Sequence, residues 1–94
     1  MFDKNTDLQE LELEDVNTLT EKNKNLILYN DDINTFEFVI ESLIKVCRHD
    51  ILQAEQCTYL VHFAGKCSVK TAHYDKLKPM CEALLGRGLT AKIE

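Results

Sequence analysis

The chain has 94 residues, 45% of them apolar and 29% charged, with a net charge of −5. That supports one small core in an ordinary globular composition, and no run nears the eighteen or so apolar residues of a membrane-spanning helix. An acidic balance without a Lys/Arg stripe argues against nucleic acid or an anionic membrane as partner.

Residues 1–24 carry seven acids against three lysines, whereas residues 25–94 carry nine acids and eight bases. The leading segment has one aromatic residue, Phe2, and six Asn or Thr residues that favour local side chain–backbone bonds over a helix. It cannot bury enough apolar surface to offset its ordering entropy, so a flexible acidic extension (1–24) is expected ahead of a folded domain (25–94). Leu8, Leu11, Leu13 and Val16 are its apolar positions, the material for a docking motif. The segment has neither the basic start nor the apolar stretch of a secretory signal, which points to the cytoplasm.

Asn25-Leu26-Ile27-Leu28-Tyr29 reads as a short strand, ended by the turn-forming Asn30-Asp31-Asp32. Asn34 stands three residues before Glu37, the capping-box spacing, and Phe36, Val39, Ile40, Leu43 and Cys47 then recur in steps of three and four. The pattern predicts a helix to about Arg48. Asp50 and Gln53 repeat the cap, Ala54, Cys57, Leu60, Val61 and Ala64 form a second stripe, and Gly65 is placed for a left-handed cap. Cys67 to Thr71 reads as a strand, and Ala72 to Leu85 as a third helix with Leu77, Met80, Cys81, Leu84 and Leu85 inward. Pro79 must kink that helix or restart it. Gly86 and Gly88 close it, and Leu89 to Ile93 alternates like an edge strand. The expected fold is α+β: a two-layer β-α-α-β-α-β sandwich, a three-stranded antiparallel sheet with three helices on one side.

Four cysteines and three histidines raise the question of a metal. Cys47, Cys57, Cys67 and Cys81 contain no Cys-x-x-Cys pair, and the tightest Cys/His pair is Cys47-Arg48-His49. Zinc sites usually draw two thiolates from one short turn, so buried structural cysteines and no metal or other cofactor are expected. There is no glycine-rich phosphate loop and no nucleophile elbow. Asp31 and Asp32 are adjacent, so in an extended segment they point apart and cannot share a proton. No catalytic residue is expected.

A binding site is the remaining reading. Asn30, Asp31 and His62 offer an amide oxygen, a carboxylate and an imidazole nitrogen, three acceptors for the three protons of an ammonium group. Thr58, Val61 and His62 share a helix face, and Phe36 with Val61 can wall an apolar slot. Spacing alone also fits ordinary turn chemistry at Asn30-Asp31-Asp32 and a satisfied core histidine at position 62.

Asn30-Asp31-Asp32-Ile33-Asn34-Thr35-Phe36-Glu37-Phe38-Val39 resembles the opening signature of the ClpS adaptor family, Asn-Asp-Asp-x-Thr-Pro-Met-x-Phe-Val, and Val61-His62-Phe63-Ala64-Gly65 resembles its Val-His-x-x-Gly element. The resemblance covers about residues 25–94. It implies an adaptor that binds N-end rule substrates by a large hydrophobic or aromatic first residue and delivers them to a Clp-type AAA+ unfoldase. By position, Asn30 and His62 would bond the substrate's α-amine and Asp31 would add negative charge. Phe36, Thr58 and Val61 would line the pocket, with Ile33 and Asn34 at its rim and Leu89 closing it. Lys78 would face the unfoldase's N-terminal domain, and residues 1–24 would engage its pore. The implied working unit is a monomer with peptide and unfoldase partners. Phe36 and Thr58 depart from the family's methionines, and the stretch after Gly65 runs shorter than in better-known members. The same element order also resembles the C-terminal domain of the ribosomal stalk protein, an interaction module with no amine pocket.

Overall fold

The computed structural model describes residues 22–94. β1 (Lys24–Tyr29) is the middle strand of an antiparallel sheet ordered β2-β1-β3, with β2 at Lys66–Ala72 and β3 at Thr90–Ile93. Leu26 and Leu28 are fully buried while their neighbours are not, the alternation of a strand covered on one face. In β3 they pair with Ile93 and Ala91, so apolar side chains meet across the inner face. The three helices, α1 (Phe36–Cys47), α2 (Ile51–Ala64) and α3 (Tyr74–Gly86), form the second layer. Of the expected extension, residues 1–21 lie outside the described residues, and Lys24 already opens β1.

The pairing of β1 with β2 slips between Leu26 and Ile27: Ile27 faces Ser68, Leu26 faces Lys70, and Val69 is left over. Val69 keeps the inward alternation that runs from Cys67, opposite Leu28, and is 3% exposed. The Val69 carbonyl accepts from Nε2 of the buried His49 at 2.7 Å. Beyond the bulge the inward register passes to Lys70, whose Nζ donates to the Cys47 carbonyl at the end of α1 (3.5 Å), where a cation is favoured by the helix dipole.

The cap of α1 is Thr35, one residue later than expected: its hydroxyl accepts from the Phe38 N–H at 3.1 Å. Asn34 is drawn away because its side-chain amide bonds Asp31 and Gly88 instead. Arg48 ends α1 in the left-handed region at φ 61°. Asp50 caps α2 through the Gln53 N–H at 2.7 Å, as its spacing predicted. α3 starts at Tyr74 rather than Ala72, because β2 continues through Ala72 and His73 adopts the extended cap conformation. Pro79 lies inside α3, which runs on without ending there; the helix gives up one backbone bond.

Three inward assignments are corrected. Leu60 and Leu85 are 51% and 50% exposed, and Ala64 is also exposed. The buried face of α2 is Ala54, Cys57, Thr58 and Val61, which keeps three residues of the expected stripe and takes Thr58 in place of Leu60 and Ala64. α2 is apolar on both sides, so periodicity there does not choose a face. Cys47, Cys57 and Cys81 are buried and Cys67 half-buried, all as free thiols. Among the described residues no helix is long and apolar enough to cross a membrane.

Candidate functional site

β1 delivers the chain to Asn30 at one end of the sheet, where α2 also ends. Gly65 is the left-handed cap of α2 at φ 96°, its N–H bonded to the Val61 carbonyl at 3.1 Å. A Cβ at this glycine would meet open space, so the requirement is one of conformation, not room. The Gly65 carbonyl in turn accepts from the Asn30 N–H at 2.9 Å. One hydrogen bond therefore docks Asn30 against the α2 terminus, three residues from His62.

The loop from Asp31 to Asn34 is built around one carboxylate. Asp31 Oδ1 accepts from the N–H groups of Ile33 (3.0 Å) and Asn34 (2.9 Å), and the Asn34 side-chain amide donates to Oδ2 at 3.0 Å. Partial burial pushes the Asp31 carboxyl up, but the bonds from Asn34 and Ile33 outweigh it and hold the group below its ordinary value of 3.8. It keeps its negative charge while much of its bonding capacity is spent on the loop. The Asn34 amide also donates to the Gly88 carbonyl at 2.9 Å, joining this loop to the turn that carries Leu89. Arg87, beside Gly88, donates from Nε to the buried Ser42 hydroxyl of α1 at 2.8 Å and lies over the Phe38 ring. The turn after α3 is thus fixed to α1 from two sides.

Phe36 and His62 meet edge to face, ring centroids 5.7 Å apart. Phe36 also stands edge-on to Tyr59 at 6.1 Å, and Tyr59 contacts Phe63 at 4.5 Å. His62 is exposed, whereas Thr58, Val61 and Leu89 are 2%, 4% and 4% exposed. The Thr58 hydroxyl donates to the Ala54 carbonyl at 2.7 Å, so its polarity is spent within the helix. Ile33 stands free at 87% exposure.

The structure therefore brings Asn30, Phe36 and His62 to one end of α2, with Asp31 and Asn34 as the bonded loop beside them. Thr58, Val61 and Leu89 sit in the core rather than on an open wall. Lys78 is exposed on α3, which packs on α1 and the sheet. Tyr59, Phe63 and the Gly88 carbonyl were missing from the sequence reading. The aromatic pair at positions 59 and 63 has helical spacing and was legible in principle; the Gly88 contact, 54 residues from Asn34, was not. A groove of about 450 Å³ lies further along α2, lined by Leu52, Glu55, Gln56, Tyr59 and Leu60.

Comparison with known proteins gives a consistent family. The family model described as "ATP-dependent Clp protease adaptor protein ClpS" matches residues 19–92. The ClpS adapter protein of Salmonella gallinarum is 42% identical over 55 residues, 56% of this chain and 52% of its own length. That of Erwinia tasmaniensis is 44% identical over 55 residues, with the same coverage of 56% and 52%. The matched region thus spans about half the length of these relatives. The solved structure of Agrobacterium tumefaciens ClpS2 bound to L-phenylalaninamide is similar at a TM-score of 0.67 and 25% identity, covering 78% of this chain and 95% of that one.

Proposed function

Since the chain belongs to the ClpS family of ATP-dependent Clp protease adaptor proteins, we propose that it binds the free N-terminal residue of N-end rule substrates and hands them to a Clp-type AAA+ unfoldase. Asn30 and His62 accept hydrogen bonds from the substrate's α-ammonium, and the fixed charge of Asp31 favours the cation. Phe36 walls the slot for a large hydrophobic or aromatic first side chain, the buried Thr58 and Val61 form its floor with Leu89 beneath, and Ile33 and Asn34 stand at the rim. Lys78 and the residues before β1 face the unfoldase. The adaptor works as a cytoplasmic monomer and carries out no chemistry of its own.

The supporting observation is the junction itself. The Asn30–Gly65 backbone bond and the Phe36–His62 ring contact bring amine acceptors and an apolar ring to the same helix end. L-phenylalaninamide, the ligand of the similar A. tumefaciens ClpS2, combines a free α-amine with a benzyl group, which is the chemistry those two halves select. Each bond to the charged amine is worth about 1.5–3 kcal/mol and burial of the first side chain about 1.5–3 kcal/mol. Association costs several kcal/mol, so both halves are needed.

The test is fluorescence polarisation with peptides that begin in Phe or Leu. The free peptides bind, and their Nα-acetylated forms lose binding. Equal affinity for the acetylated peptide removes Asn30 and His62 from the amine role.

A further inference from the structure

α2 has a second apolar face that nothing among the described residues covers. Leu52, Tyr59, Leu60 and Phe63 are 64%, 60%, 51% and 69% exposed, opposite the buried Ala54, Cys57, Thr58 and Val61. A helix apolar on every side is normally enclosed on every side, and clustered exposed apolar side chains mark a contact surface.

This face is continuous with the candidate amine site through one residue. Tyr59 stands edge-on to Phe36 at 6.1 Å and also lines the groove formed with Leu52, Glu55, Gln56 and Leu60. Charge selects in the same direction: α2 contains Glu55 and no Lys or Arg, and the adjoining loop adds Asp31 and Asp32. The track repels acidic residues and accepts neutral or basic ones. Ten residues of helix separate Leu52 from His62, about 15 Å, the reach of about four or five residues of extended chain.

We propose that this face receives the stretch of substrate that follows its first residue: a polypeptide with apolar, non-acidic residues at positions two to five, lying along α2 from Tyr59 toward Leu52. The inference rests on the reading of Asn30 and His62 as the amine clamp, and it adds a second determinant to that site. A second copy of the chain is a poorer occupant. One stripe of four side chains on a 14-residue helix is well short of the roughly 800 Å² per partner of a stable interface.

The experiment uses the full chain and its Leu52→Glu/Leu60→Glu double variant, both changes at exposed positions. Binding of two peptides is compared, Phe followed by Leu and Val residues and Phe followed by Ser and Gly residues, each by competition alongside L-phenylalaninamide. In the unaltered chain the apolar peptide binds about tenfold tighter. In the double variant that ratio falls close to one, while competition by L-phenylalaninamide is unchanged. Equal affinities in the unaltered chain, or a ratio that survives in the variant, overturn the extended track and leave the clamp standing. Failure of L-phenylalaninamide to compete at all removes the clamp, and the track with it. A two-chain mass in sedimentation that becomes one-chain in the double variant assigns the face to self-association and also overturns the proposal.

Discussion

His62 and Phe36 lie edge to face at 5.7 Å and 79°, so the polar end and the apolar wall of the candidate site support each other. Phe36→Ala removes the ring that steadies the imidazole and widens the slot beside it. The expected outcome is weaker binding of peptides that start with Phe, together with entry of β-branched first residues such as Ile and Val. A peptide panel varying only the first residue checks this; an unchanged order of preference places Phe36 outside the slot.

The Asp31–Asn34–Gly88 relay ties the β1–α1 loop to the turn before β3. Asn34→Ala deletes donors to both partners and is expected to cost about 1–2 kcal/mol in denaturant titration. Peptide affinity falls alongside, because the loop after Asn30 loosens. Asp31 sits below its ordinary value of 3.8, so the unfolded chain takes up this proton before the folded one does. The stability it contributes is present above that ordinary value and is lost as pH falls through the lower folded value. Asp31→Asn keeps the shape without the charge, so the acid limb of stability below about pH 4 becomes shallower. An identical acid limb in the variant removes the carboxylate from the loop's stability.

Arg48 holds φ 61° at the end of α1, a conformation that costs an ordinary residue about 1–2 kcal/mol and glycine little. Its guanidinium has no role in the contacts described above. Arg48→Gly is expected to stabilise the fold by about 0.5–1 kcal/mol, a rise of a few degrees in Tm for a domain this size. Thermal unfolding followed by circular dichroism reads it, and a lower Tm means that the arginine side chain supports the fold.

The core thiols are chemically quiet. Burial pushes Cys47 up to about 11, with Lys70 acting the other way. Burial and the neighbouring Cys57 push Cys67 up to about 12. Because the thiolate is the nucleophile, both are expected to resist alkylation at pH 8 in the folded protein and to react quickly in denaturant. The raised values also mean that stability is complete below about pH 8.5, the ordinary thiol value, and falls as pH rises toward the folded ones. Fast alkylation of all four cysteines without denaturant contradicts the packing described for them.

The fold was legible where periodicity and punctuation agreed. Leu26 and Leu28 alternate with polar or half-buried neighbours, Asp50 precedes α2, and Gly65 ends it, so local chemistry fixed those boundaries. It failed where local choices were degenerate. Asn34 and Thr35 are both good caps, and a contact with Gly88 decided between them. Leu60 and Val61 are equally apolar, and the packing of α2 on β2 decided which turned inward. The bulge at Val69 left no mark in the sequence, because the partner of its carbonyl, His49, sits 20 residues away. At the site, Asn30, Phe36 and His62 were recognisable by resemblance. The burial of Thr58 and Leu89 could not be foreseen, because neighbours from other elements determine it.

The Gly65 carbonyl holds the Asn30 N–H at 2.9 Å, and both atoms belong to the main chain. The distance between the two ends of the proposed clamp is therefore gauged by groups that almost every amino acid possesses, with a single glycine torsion as the calibrating element. Side chains around the notch, Phe36 and Thr58 among them, can change in size and chemistry without moving this main-chain anchor. If this end of α2 grips a chain terminus as proposed, preference for one guest over another can diversify while the grip is preserved, and a change at Gly65 is the one that disturbs every guest alike.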